Sequence, residues 1–175
     1  MHELRAPEGT AGHAALAARA LAAWPWAAPI LWVGADMYPP GLAAAGLDPA
    51  RCLFAEARDE AQKFAALEVA LRGGMAGVTE VSACTRLAAR RLALAARQGG
   101  SLGFVLRHAP ARTATDCNAF ASRWLITPAP GGRLLAERLY VKGGQPEIFL
   151  LEMETDHGTA PALDLVATNG LRRAG

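Results

Sequence analysis

The sequence is short of lysine, cysteine and net charge. Of its 18 basic residues two are lysine, Lys63 and Lys142, which leaves 16 arginines. Against 16 acidic residues the formal charge is only +2. Nucleic-acid affinity comes largely from neutralised phosphates, so strong unaided DNA binding is excluded and any DNA contact is weak or indirect. The arginine excess reads first as a GC-rich coding bias. Arginine is nevertheless the better residue for carboxylates, phosphates and protein interfaces, because its planar fork makes paired hydrogen bonds. Cys52, Cys84 and Cys117 stand 32 and 33 residues apart with no C-x-x-C pair. That spacing excludes a disulfide framework and a structural zinc site, and reduced thiols in a cytoplasmic protein are expected.

Long apolar runs are missing too. Ala14 to Val33 comes closest, but Arg19 interrupts it and Pro25 and Pro29 break it. A membrane span needs roughly 20 mostly apolar, helix-compatible residues. Glu3 and Glu8 also spoil the basic start of a signal peptide. The stretch reads as helix, turn and strand, with no membrane contact. What is present is ample core material: 175 residues, 52% hydrophobic and 19% charged, make one folded domain and exclude a disordered chain.

Along the chain, a helix is expected from about Thr10 to Trp24, followed by a buried strand at Ile30–Val33. Tyr38-Pro39-Pro40-Gly41 reads as a loop, Leu42 to Ala45 as a helical turn, and Cys52–Ala55 as a second strand. Asp59 with Gln62 resembles a capping box and opens a helix carrying Phe64, Leu67 and Leu71, stopped at Gly73-Gly74. Val78–Val81 is a third strand. Thr85 caps a helix that closes at Gly99-Gly100, and Leu102–Leu106 is a fourth strand. This alternation predicts an α/β fold, a mainly parallel sheet with helices on both faces. Ser122–Thr127, Leu134–Lys142 and Ile148–Glu154 read as hairpin strands that extend the sheet antiparallel. Residues 1–156 form the domain; 157–175 form a polar tail with a short helical pattern at Leu163–Ala167, either flexible or docking a partner.

Few residues carry chemistry. Gly99-Gly100-Ser101-Leu102-Gly103 matches G-x-S-x-G, but it follows a helix and enters a strand, the reverse of a nucleophile elbow. Ser101 is therefore a turn residue. The histidines, His2, His13, His108 and His157, lack metal-ligand spacing, so no metal is expected. His108 follows the fourth strand, where α/β folds bind ligands, although a partly exposed strand-end histidine is the plainer reading. At the first helix, a phosphate-binding loop would read GxxxxGK[ST]. Here Ala6 and Ala11 stand at the two glycines, Gly9 lies between, Gly12 replaces the lysine and His13 the hydroxyl residue. The third strand lacks a terminal Asp for magnesium. ATP hydrolysis by the usual phosphate-loop route is excluded, and no cofactor is expected. Arg86, Arg90 and Arg97 share one helical face, with Arg91 beside them. Such a face is either simply solvated or a docking surface for an acidic partner or DNA backbone.

Together these residues resemble the ImuA family, SOS-associated accessory proteins of bacterial mutagenesis cassettes related to RecA and to the division inhibitor SulA. The resemblance rests on His2-Glu3-Leu4, Leu31-Trp32-Val33, Tyr38-Pro39-Pro40-Gly41-Leu42 and Gly46-Leu47-Asp48-Pro49-Ala50-Arg51. It continues through Leu67-Glu68 to Gly74, Arg86-Leu87 to Ala96, Phe104 to Arg107, Ser122-Arg123-Trp124 with Pro128-Ala129-Pro130, and Gly143 to Pro146. It implies a RecA-like fold, DNA-damage induction and no catalysis. The implied partners are an ImuB-like inactive Y-family polymerase homologue and an error-prone C-family polymerase, with RecA a further candidate and self-association open. Two docking surfaces are expected: Arg86, Arg90 and Arg97, and the hairpin region with Trp124 plus Leu171, Arg172 and Arg173. Trp124 fits core or interface. Family members carry a segment before the His-Glu position, so the first strand and helix of the RecA-like core are expected to be shortened or missing. The competing expectation is a SulA-like inhibitor that binds FtsZ. Residual nucleotide binding without hydrolysis is a third reading; it predicts a thermal shift with ATP, and none is expected.

Overall fold

The computed structural model describes residues 1–25, 27–34, 38–109, 118–153 and 165–167. Its elements run β1 (His2–Ala6), α1 (Gly12–Ala22), β2 (Ile30–Val33), α2 (Pro39–Ala44), β3 (Cys52–Ala55), α3 (Glu60–Arg72), β4 (Ala76–Glu80), α4 (Arg86–Gly99) and β5 (Gly103–His108). They continue with β6 (Ser122–Ala129), β7 (Arg133–Val141), β8 (Glu147–Leu151) and β9 (Leu165–Ala167), and a 3-10 turn at Pro49–Arg51 leads into β3. All the strands form one sheet in the order β3-β2-β4-β5-β1-β6-β7-β8-β9. From β3 to β6 every neighbour is parallel; β7, β8 and β9 add on antiparallel. This is the α/β architecture that the helix–strand alternation predicts.

Local chemistry sets the helices. Asp59 accepts a hydrogen bond from the Gln62 amide (2.8 Å), and the Gln62 side chain accepts one from the Arg58 amide (3.1 Å), which fastens the start of α3. Thr85 Oγ1 caps α4 through the Ala88 amide (3.2 Å), and Gly100 ends it with φ +61°. Pro39-Pro40-Gly41 is not a loop, as expected, but the first turn of α2. A proline at the first helical position sacrifices no hydrogen bond there.

The core divides along the sheet. One face packs Leu4, Trp32, Val78, Phe104 and Leu106 against Ala17, Ala18 and Leu21 of α1 and Leu42 of α2. The other packs Val105 and Phe120 against Leu67 and Leu71 of α3 and Ala89, Leu92 and Ala95 of α4. A third cluster under the hairpins joins Ile126, Leu134, Ala136, Phe149 and Leu151.

His2–Ala6 is the strand between β5 and β6, and α1 follows it. One further expectation is corrected. The Leu163–Ala167 helical pattern is instead strand at 165–167, because β8 offers an edge for antiparallel pairing. Leu171, Arg172 and Arg173 lie outside the described residues.

Burial on β1 has a pH consequence. His2 Nδ1 meets Ser122 Oγ at 2.7 Å, and burial, with the adjacent amino terminus, pushes its pKa from 6.5 to about 4. Between those values the unfolded chain takes a proton that the folded chain does not, so stability falls as pH drops through that window. His2→Gln is expected to flatten the melting-temperature profile there; a slope equal to the wild type would contradict the assignment.

Candidate functional site

Where the strands end, β1, β4 and β5 deliver Ala6, Glu80 and His108 to one edge, the position at which open α/β sheets bind ligands. The loop from β1 to α1 occupies the place of a phosphate loop, yet its groups do not suit phosphate. Pro7 has no N–H to offer. The Thr10 amide and hydroxyl both donate to Pro7 O, at 3.3 and 2.9 Å. Gly12 faces Ile126 and Leu134, so an added Cβ would lie 3.1 Å from each. Glu8 and Glu80 line the adjoining cleft of about 360 Å³, together with Gly34, Lys63, Val81, Ser82 and His108. Two carboxylates beside one lysine, whose Nζ is spent on the Glu80 backbone carbonyl (2.9 Å), repel a phosphate. Among the described residues, no group at this edge is placed to hold a phosphate.

The same edge assembles a group that sequence spacing hides. The ligand atoms of His13, from the first turn of α1, Glu80 and His108 lie within 4.8 Å of one another. His13 is 2% exposed, and neither ring nitrogen has a hydrogen-bond partner among the described residues. Burial and then the nearby His108 lower its pKa to about 4, so it is a neutral imidazole at physiological pH. The rings of His13 and His108 meet edge to face with centroids 4.7 Å apart. His108 also lies 3.3 Å from Glu80.

Ser101 is a turn residue between α4 and β5, its hydroxyl donating to Leu71 O at 2.8 Å. Arg86, Arg90 and Arg97 are all exposed on α4, and none makes a hydrogen bond or ion pair among the described residues. Arg91 differs, since it pairs with Glu68 at 2.7 Å. Leu87 and Leu94 stand beside the arginine stripe at 68% and 46% exposure, a feature that arginine spacing alone does not reveal. Next to them, a groove of about 240 Å³ between α3 and α4 is lined by Phe64, Leu87, Ala88 and Leu92. Trp124 is half-buried: its Nε1 donates to Ser122 Oγ (2.7 Å), and its ring lies against Phe149 and beneath the Arg138 guanidinium. It belongs mostly to the hairpin core.

A mainly parallel sheet with an antiparallel wing and helices on both faces defines an α/β protein, and its likeness to SulA comes from superposition. No protein-family model matches the chain. SulA from Pseudomonas aeruginosa has a solved structure that superposes with a TM-score of 0.53 at 26% identity, over 62% of this chain and 98% of that one. Proteins named ImuA from two strains of Caulobacter vibrioides, NA1000 / CB15N and ATCC 19089 / CIP 103742 / CB 15, are each 35% identical over 156 aligned positions. The alignments take in 75% of this chain, which spans 64% of the length of those curated relatives. The chain is similar to these ImuA proteins over the part of their length that it spans.

Proposed function

We propose that this chain is a non-catalytic accessory protein of damage-induced translesion DNA synthesis, acting in the cytoplasm by docking the proteins of a mutasome. Its partners are an ImuB-like inactive Y-family polymerase homologue and an error-prone C-family polymerase, with RecA as a further candidate. Kinship with ImuA supports the setting. The observation that carries the docking mode is the α4 face, where three unneutralised arginines flank two exposed leucines. Arginine beside apolar surface is the composition of interface hot spots, and an acidic partner segment with apolar anchors complements it. Among the described residues no helix is long and apolar enough to cross a membrane.

Arg86→Glu combined with Arg90→Glu is expected to weaken capture of the Y-family homologue by about tenfold or more, as loss of hot-spot residues does. The melting temperature should hold, because both side chains lie on the surface. Undiminished capture by a folded double variant would remove this face from consideration.

The likeness to SulA supports a second reading, a division inhibitor that binds FtsZ. Overexpression separates the two. Filamentous cells favour inhibition, whereas normal division with altered damage-induced mutation favours the accessory role.

A further inference from the structure

We propose that His13, Glu80 and His108 form a binding site for a divalent transition-metal ion of the zinc type. Independently of the docking surface, three observations converge on it.

The first is the tautomer of His108. Its Nδ1 lies 3.1 Å from the Pro7 carbonyl oxygen, which can only accept, so Nδ1 carries the proton. The Nε2 of a neutral His108 then presents a lone pair to the Glu80 carboxylate 3.3 Å away. Two acceptors that face each other at this distance require a cation between them or a second proton on the ring. A histidine whose far nitrogen donates to a backbone carbonyl while the near nitrogen stays free is the arrangement by which proteins orient metal-binding imidazoles.

The second is His13. It is 98% buried, by its 2% exposure, and an imidazole so placed should satisfy at least one nitrogen. Neither is satisfied among the described residues, although a ligand atom of its ring lies within 4.8 Å of those of Glu80 and His108. A metal ion would supply the missing partner.

The third is shape and charge. Ligands about 2.0–2.1 Å from a tetrahedral zinc stand roughly 3.3–3.4 Å apart, the separation already present between His108 and Glu80. His13 stands as the third ligand, its ring nitrogen within 4.8 Å of the other two ligand atoms. Two imidazoles and a carboxylate make a three-ligand set that leaves a fourth position open. Glu80 and His108 border the cleft that Glu8 shares, so solvent or a partner's donor group can reach that position, and Glu8 adds attraction for a cation. Lys63, the nearby cation, is held on the Glu80 backbone carbonyl at 2.9 Å.

The test uses the untagged full chain, stripped with chelator and titrated with Co²⁺ alone, then with Zn²⁺. One equivalent of Co²⁺ with visible d–d absorption, displaced by Zn²⁺, is expected. Glu80→Gln and His108→Ala should each weaken binding by at least the roughly 10–100-fold that loss of a mere supporting residue costs. These partly exposed positions carry the test because a His13 variant endangers the core. Paramagnetically shifted imidazole resonances from two histidines in the wild-type Co²⁺ complex provide a second readout that needs no variant. Absence of stoichiometric binding, binding unchanged in both folded variants, or a His108–Glu80 pair that only titrates a proton would each overturn the site.

Discussion

Replacing Glu3 with glutamine is expected to remove about 3–5 kcal/mol of stability, the cost of stranding buried charge. For a chain of this size that is a fall in melting temperature on the order of 10 °C, measurable by thermal and urea denaturation. Glu3 is 2% exposed and holds three arginines. Its Oε1 accepts from Arg5 Nε and Nη2 (3.0 and 2.9 Å) and from Arg107 Nη1 (2.9 Å), while Oε2 accepts from Arg123 Nε (2.7 Å). Arg5, Arg107 and Arg123 are themselves at most 5% exposed. Glutamine keeps the shape and loses the charge, so three guanidiniums would face one another with their shared counter-ion gone. Arg107→Met should cost less, because the carboxylate would still serve two arginines. If E3Q were as stable as wild type, the network would not hold the sheet together.

The same carboxylate makes stability acid-sensitive. Burial alone would raise the Glu3 pKa, but the Arg123 hydrogen bond, the charges of Arg5 and Arg123 and the Arg107 hydrogen bond outweigh it and hold the group below the ordinary carboxylate range. Its contribution is therefore complete above the unfolded carboxylate pKa and is lost as pH falls through the lower, folded value.

Gly99→Ala is the second large effect, expected to cost about 3 kcal/mol or more through overpacking. At the end of α4, Gly99 rests on the closing turn of α3. An added Cβ would lie 1.9 Å from Leu71 O, 2.9 Å from the Gly74 amide and 3.0 Å from Arg72 O. All three are backbone atoms, so no rotamer change relieves the clash and the two helices must separate. Gly132→Ala is the contrast. With φ +71° and no atom within 4 Å of the added Cβ, it should cost only the left-handed strain of about 1–2 kcal/mol. Equal losses in the two variants would show that helix contact is not what Gly99 provides. Because α4 also presents Arg86, Arg90 and Arg97, G99A should weaken partner capture as well, through displacement of the helix.

Much of the fold was legible because local rules acted alone. Asp59, Thr85 and Gly100 mark helix ends through their own hydrogen bonds and backbone angles, and Ile30–Val33 is a continuous apolar run whose burial needs no further information. The hairpins of β6 to β8 were marked by proline and glycine between apolar stretches. The arginine stripe followed from helical spacing, although the leucines that give it an apolar border became visible only once their exposure was known.

What escaped the sequence has one physical cause. His2-Glu3-Leu4-Arg5 does not look like a buried strand, since charge is normally expelled from an interior. Its charges are tolerable only because parallel pairing brings Arg107 and Arg123, 104 and 120 residues away, onto the Glu3 carboxylate. His13, Glu80 and His108 show no motif for the same reason: α1, β4 and β5 each supply one side chain, and only the sheet order places them within 4.8 Å. The amino-acid sequence by itself determined the alternating α/β plan, the capped helices and the arginine face. The tertiary structure alone decided that the His-Glu strand is internal and that three distant residues meet at the sheet's edge. Burying a charge or assembling a ligand set depends on partners that are close in space but remote in the chain.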